Sequence, residues 1–362
     1  MMKKLFLILT SLLLSLSGFA KIELSVPADN ITVSRHRGEC RAFLKKSSQE
    51  RNTLMVDKTY RDKLKTEYVP VKFAWESDKK ETFKLQISET KDFKKPIEFT
   101  TDKNYVRVSN LKMAQKYYWR VLGKDDISPT RIVITEDFAP RVLNVAGVSN
   151  ARDLGGRIGL NGKRIKQNMI IRSAGFNRSS KDEIVAGNLV IKPEGKKFLL
   201  EEIGIKTDLD LRSKKEVADM KASPLGDSVK WMNISALCYA QTYTDAGKLN
   251  YAQLFRIFCD KSNYPISIHC QAGADRTGTL CYILNALLGV SDAELEKDWQ
   301  YTIFFTNNMA FAPKNRYFKI VEGINKYGTE KESTALKTER FLMSAGITSE
   351  EISTFRKIML EN

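Results

Sequence analysis

The run Pro265-Ile-Ser-Ile-His-Cys-Gln-Ala-Gly-Ala-Asp-Arg-Thr-Gly278 constrains this chain more than any other stretch. Its apolar start ends in Cys270, five residues separate Cys270 from Arg276, and apolar positions from Thr277 to Leu288 then recur at helical spacing. That is the pattern of a buried strand, a tight loop and a helix. A strand running into a helix in this way calls for an α/β sheet with its site at the carboxyl ends of the strands.

The physics of such a loop favours an anion. Gly273 and Gly278 permit backbone geometries that turn successive amides into one hollow, and the helix behind adds its positive end. A phosphate dianion suits a hollow lined by Gln271, Ala272, Gly273, Ala274, Asp275, Arg276 and Thr277. The same field acts on Cys270, because helix N-termini and nearby cations lower a thiol pKa from about 8.5 to roughly 3.5–7.5. Cys270 is then an ionised nucleophile. Arg276 offers a planar fork for two phosphoryl oxygens, which a lysine point charge does not. The Thr277 hydroxyl is placed to donate to the sulfur when it leaves.

The residues His269-Cys-Gln-Ala-Gly-Ala-Asp-Arg-Thr-Gly278 resemble the His-Cys-x-Ala-Gly-x-Asp-Arg-Thr-Gly signature of bacterial protein tyrosine phosphatases of the cysteine-dependent superfamily. Two further segments, Asn150-Ala-Arg-Asp-Leu-Gly-Gly156 and Asp210-Leu-Arg-Ser213, resemble landmarks of the same family in the same order. The similarity runs over roughly 140–360. It implies an enzyme that hydrolyses phosphate monoesters through a phosphocysteine intermediate, with no metal and no cofactor. It also implies supporting roles for His269, Thr277, Arg152, Asp153 and Arg212.

Such chemistry needs a proton for the departing alkoxide and a base for the attacking water. The Trp-Pro-Asp loop of many animal tyrosine phosphatases is absent. Asp210, at the end of a strand, and Asp275, inside the loop, are the candidates that the resemblance points to, and Asp245 is a third. Asp210 is assigned here as the acid and Asp275 as the residue positioning water or substrate.

Residues 22–137 read differently. Val71, Phe73 and Trp75 alternate, as do Phe83, Leu85 and Ile87, and Tyr117, Trp119 and Val121, in short strands separated by turns. This is a β-sandwich pattern with the aromatics in its core. Leu111-Lys-Met-Ala-Gln-Lys-Tyr-Tyr-Trp-Arg-Val121 resembles the tyrosine-corner strand of fibronectin type III modules, with Trp75 as the opposing tryptophan. The polar segment 34–65, with His36 and Cys40, is an insertion that such modules lack. From Phe138 the pattern changes to alternating strands and helices. The expected fold is therefore multidomain: an N-terminal β-sandwich over 22–137, then over 138–362 an α/β cysteine-phosphatase domain with a central, mostly parallel sheet and a helical C-terminal part. The second domain is expected to fold alone, because few features bridge Thr135 to Pro140. A helix is expected to open at Arg212-Ser-Lys-Lys-Glu216.

Residues 1–20 carry Lys3 and Lys4, a leucine-rich stretch, and Gly18 and Ala20 where a signal peptidase reads. This looks like a secretory signal cleaved near Ala20–Lys21, and the expected location is periplasmic or extracellular, without a stable membrane span. The formal charge of +16 favours acidic partners: a phosphorylated protein or peptide, or inositol phosphates. No finger, RRM or basic-helix motif points to nucleic acid. Five cysteines without a Cys-x-x-Cys pair, and only two histidines, argue against a disulfide framework and a zinc site. Two other readings stand beside the tyrosine phosphatase. One is a phosphoinositide or inositol polyphosphate phosphatase, against which Ala274 occupies a position where lipid-acting relatives often carry Lys. The other is a phosphate-binding or adhesion module without turnover. The partner of the sandwich domain is unknown.

Overall fold

The computed structural model describes residues 22–57, 69–177, 190–305 and 313–362. The expected leader at 1–20 and positions 58–65 of the polar insertion lie outside the described residues. By its contacts the chain divides into two units. Of the described residues, one unit comprises 22–31, Lys72–Arg107 and Lys116–Ile134; the other comprises those within Thr32–Val71, Val108–Gln115 and Thr135–Asn362.

The first unit is antiparallel β. Strands β1 (Glu23–Val26), β3 (Val71–Glu76) and β6 (Tyr105–Val108) form a three-stranded sheet in the order β1-β3-β6. Strands β2 (Ile31–Val33), β4 (Phe83–Ser88), β5 (Ile97–Thr101), β7 (Lys116–Leu122) and β8 (Arg131–Thr135) form a five-stranded sheet in the order β2-β8-β7-β4-β5. Alternation is clearest in β7, where Tyr117, Trp119 and Val121 are buried and their neighbours are not. Rings meet across the unit. Phe73 of β3 lies 5.1 Å from Trp119 of β7, and Trp75 of β3 lies 5.5 Å from Phe83 of β4, all edge-on and buried. The aromatics of this segment are core.

The second unit begins with two helices inside the polar insertion, α1 (Gly38–Lys45) and α2 (Ser48–Val56), the latter opened by a reciprocal Ser47–Glu50 capping box. Its six-stranded sheet contains β9 (Arg141–Val142), β10 (Arg152–Asp153), β11 (Ile170–Ser173), β12 (Thr207–Asp210), β13 (Lys230–Asn233) and β14 (Ile266–His269), in the order β13-β12-β14-β11-β10-β9. The first four strands in that order are parallel, and β10 and β9 add antiparallel pairs. Every residue of β11, β12 and β14 is buried, as in a parallel sheet covered on both faces.

The helices that follow the β11 crossover are α3 (Pro193–Lys197), α4 (Asp245–Cys259), α5 (Asp275–Leu287), α6 (Asp292–Tyr301), α7 (Pro313–Asn325), α8 (Thr334–Ser344) and α9 (Ser349–Met359). Helix α3 runs on as a π-helical stretch and stops at Gly204, whose φ of 78° suits glycine. Helix α5 is the axis of the unit: from Thr277 to Leu287 every residue is buried, so it is covered all round rather than on one face. Leu280, Ile283, Leu284 and Leu287 join Phe255 and Phe258 of α4, Phe341 of α8 and Phe355 of α9 in one core. This packing fixes the loop in front of α5.

Two expectations need correction. Residues 214–219 form turns and no helix follows, although Ser213 and Glu216 bond each other reciprocally as in a capping box. The contact boundary also departs from 137/138, since 32–57 belongs to the second unit. Cys40, Phe43, Leu44 and Met55 pack with Val142, Tyr301 and Phe304, and buried Arg51 donates to Gln300 and pairs with Glu296 at 3.2 Å. No helix among the described residues is long and apolar enough to cross a membrane.

Candidate active site

Parallel pairing sets β14 between β12 and β11, with His269 opposite Asp210 on one side and Ser173 on the other. Cys270 follows directly, 3% exposed, and α5 starts five residues later. Gly273 is the pivot of the loop. Its φ is +65°, and a Cβ there would stand 2.3 Å from the carbonyl oxygen of Ser173, so only glycine fits. Gly278 serves otherwise than expected. It lies inside α5, and a Cβ would meet the Trp299 ring at 2.7 Å, so its role is close packing of α5 against α6.

Burial opposes ionisation of Cys270. The Arg276 guanidinium, the Thr277 hydroxyl and the amides of Thr277 and Ala274 outweigh it and hold the thiol below its ordinary value. The other four cysteines go the opposite way: burial pushes Cys238 and Cys281 up to about 11 and Cys259 to about 12, and raises Cys40. All five are free thiols. Cys281, buried nearly two turns into α5, is not activated.

Arg276 is held ready by a residue that the motif did not single out. Glu216 accepts from both of its terminal nitrogens, at 2.6 and 2.9 Å, and is itself fixed by the amide and hydroxyl of Ser213, each at 2.8 Å. The Arg276 hydrogen bond, more than any other influence, lowers Glu216 to about 2. Its sequence signal was its spacing from Asp210-Leu-Arg-Ser213, which was read as a helix start.

The carboxylates fall into two kinds. Asp210 is 0% exposed, and Arg212 binds both its oxygens, Nε to Oδ1 at 2.9 Å and Nη2 to Oδ2 at 2.6 Å. Burial works against its charge, but His269 and Arg212 prevail and its pKa is lowered. A carboxyl so held favours its ionised form, which suits a counter-ion better than the acid role expected of it from sequence. Asp275, in the first turn of α5, is about one-third exposed and lies 3.2 Å from Arg316. Burial raises its pKa in spite of Arg316 and Arg276. Asp245 is an exposed first-turn residue of α4.

His269 is a buried support. Its Nε2 forms an ion pair with Asp208 at 2.9 Å in which neither atom makes a directed hydrogen bond, and its ring packs on Phe176 with centroids 4.7 Å apart. Burial opposes its protonation, but Asp208 and Asp210 raise its pKa.

Arg152 and Asp153 do not pair with each other. Asp153 takes Arg141 at 2.7 Å and the amides of Gly155 and Asn168, anchoring the turn. Arg152 reaches Asp298 of α6, as do Arg157 and Arg172, so three buried guanidiniums converge on one buried carboxylate. Asn150, Arg172 and Asp298 were not singled out individually; Asp298 has no local signal at all. Among the described residues, no group of three or more His, Cys, Asp or Glu side chains is arranged to hold a metal.

Comparison with known proteins gives a family and a distant likeness. The sequence model of the tyrosine phosphatase family matches residues 143–361. No curated protein matches the chain. The solved core catalytic domain of the PP-IP phosphatase SIW14 from S. cerevisiae, in complex with citrate, is 16% identical over 56% of this chain and 97% of its own, with a TM-score of 0.30. A second structure of the Siw14 catalytic core is 15% identical over 56% of this chain and 96% of its own, also at 0.30.

Proposed function

The chain belongs to the tyrosine phosphatase family, and on that premise we propose that it hydrolyses phosphotyrosine in proteins through a phosphocysteine intermediate. The observation that carries this reading is the selective lowering of Cys270, alone of five cysteines, beside the Arg276 fork. The Cys270 thiolate attacks phosphorus, the bond from phosphorus to the leaving oxygen breaks, and Asp275 gives that oxygen its proton. Water then attacks the phosphocysteine while the Asp275 carboxylate takes its proton. The phosphorus–sulfur bond breaks, and phosphate and the thiolate are released. Arg276 and the loop amides hold the equatorial oxygens through both steps. Asp275 suits the acid role because burial raises its pKa, whereas His269 and Arg212 lower that of Asp210.

One observation favours a second reading. Lys214 and Lys215 are exposed between Ser213 and Glu216, on the segment that grips Arg276, and would meet a second phosphate on an inositol polyphosphate or phosphoinositide. Export is also part of the proposal, supported by the leader-like residues 1–20, with a mature chain starting at Lys21. So is a fibronectin type III-like sandwich, supported by the two antiparallel sheets and the ring contacts between them.

The test is the Lys21–Asn362 protein with EDTA present, assayed on phosphotyrosine peptides, phosphoserine peptides and inositol polyphosphates. Turnover of phosphotyrosine that is lost in Cys270→Ser, with phosphate-ester binding retained, is expected. Full activity in Cys270→Ser would overturn the mechanism. Preference for the inositol panel, lost in Lys214→Ala/Lys215→Ala, would establish the second reading instead.

A further inference from the structure

Two carbonyls of the phosphate loop are held from behind. Asn150 Nδ2 donates to the carbonyl oxygens of Ala272 and Gly273, at 3.1 and 3.0 Å, and Arg172 Nη2 donates to that of Gly273 at 2.5 Å. In a trans peptide the C=O and the following N–H point in opposite directions. Holding these two oxygens therefore turns the N–H groups of Gly273 and Ala274 the other way, into the hollow. The Ala274 amide is indeed one of those bonded to the Cys270 sulfur.

The holders are fixed in turn by one carboxylate 25 positions beyond Gly273. Asp298 takes Arg172 Nη1 at 2.7 Å through Oδ2, and Arg157 at 2.8 Å and Arg152 Nε at 3.2 Å through Oδ1. Arg152 Nη1 donates to Asn150 Oδ1, which leaves the Asn150 Nδ2 group facing the loop. Asn150, Arg152, Arg157, Arg172 and Asp298 are all 7% exposed or less, so no water competes for these bonds. Asn150 has φ 57°, a left-handed conformation that asparagine tolerates.

We propose that Asp298, Arg152, Arg172 and Asn150 are positioning residues that aim the Gly273 and Ala274 amides at the nucleophile and the bound oxyanion. They touch neither. Their effect on catalysis rests on the phosphatase reading, but their effect on the loop does not. The stabilisation that they supply passes through two backbone donors, the kind of group whose loss costs about 10²–10³-fold in rate.

The test uses two substitutions in the full chain that leave the charge unchanged. Asn150→Gly keeps the left-handed backbone and removes the donor; Arg172→Lys keeps the cation and removes the fork. Two readouts are independent of turnover: the pH midpoint of Cys270 alkylation by iodoacetamide, followed by peptide mass, and tungstate affinity by calorimetry. In both variants the midpoint should rise by about one unit and tungstate should bind at least about tenfold more weakly. Thermal melting shows whether each variant is folded, and if Arg172→Lys is not, Asn150→Gly decides. An unchanged midpoint and unchanged tungstate affinity in a folded variant overturn the proposal, whatever happens to the melting temperature. A wild-type protein inert toward every phosphate ester would instead overturn the proposed function and leave this measurement intact.

Discussion

Glu216 holds the guanidinium of Arg276 through two hydrogen bonds, one from each terminal nitrogen to a separate carboxylate oxygen, 2.6 and 2.9 Å long. This pairing determines where the fork points before any substrate arrives. An arginine already oriented loses less freedom when it grips a phosphoryl group, and that difference appears in the transition state. Glu216→Gln keeps the size and loses the charge-assisted pair. Its kcat/KM on an aryl phosphate should fall by about 10–100-fold, with weaker competitive inhibition by phosphate. Steady-state kinetics with a phosphate titration checks this.

The same pair has an acid limit. The folded Glu216 pKa of about 2 lies below its ordinary value of 4.5, so the stability that it contributes is complete above pH 4.5 and lost as pH falls toward 2. Between pH 5 and 8 it should contribute no slope. Chemical denaturation of wild type and Glu216→Gln at pH 3, 4.5 and 7 should show their difference shrinking only at the acid end.

Asp275 and Asp210 should separate by assay. Asp275→Asn should lower turnover by roughly 10²–10⁴ on esters with poor leaving groups and much less on a good aryl leaving group, which needs little protonation. Asp210→Asn leaves Arg212 buried without its full counter-charge, and should cost about 3–5 kcal/mol of stability. A stable, leaving-group-dependent Asp210→Asn variant would return the acid role to Asp210.

Alkylation at pH 6.5 should discriminate among the cysteines by ionisation rather than exposure. Cys238 is the more exposed, but its thiol is pushed up to about 11, while Cys270 is held down by Arg276, Thr277 and two amides. Peptide mass mapping at low reagent excess should find Cys270 labelled first. Peroxide should inactivate reversibly by thiol through the same residue.

A fragment starting at Phe138 should fold poorly, against the expectation drawn from sequence. It lacks Cys40, Phe43, Leu44 and Met55, and so uncovers Val142, Tyr301 and Phe304. In the intact chain, Phe43→Ala should cost about 3–5 kcal/mol, read by denaturant unfolding.

What could be read from the sequence alone was what contiguous residues encode. The strand–loop–helix around Cys270, the αL pivot at Gly273 and the alternation of β7 each follow from neighbours a few positions apart. Cys270 and Arg276, the nucleophile and fork of the proposed mechanism, lie six residues apart, so spacing was enough to put both forward. The rest depended on distance in space. Arg152 meets Asp298 across 146 positions, Arg276 meets Glu216 across 60, and Arg51 meets Gln300 across 249. The surroundings of the two aspartates were likewise undecided until packing set Arg212 on both oxygens of Asp210 and Arg316 beside Asp275. Local pattern specifies backbone conformation and residue chemistry. The charge state of a buried carboxylate is set by whichever cations the fold brings beside it, and only the tertiary structure decides that.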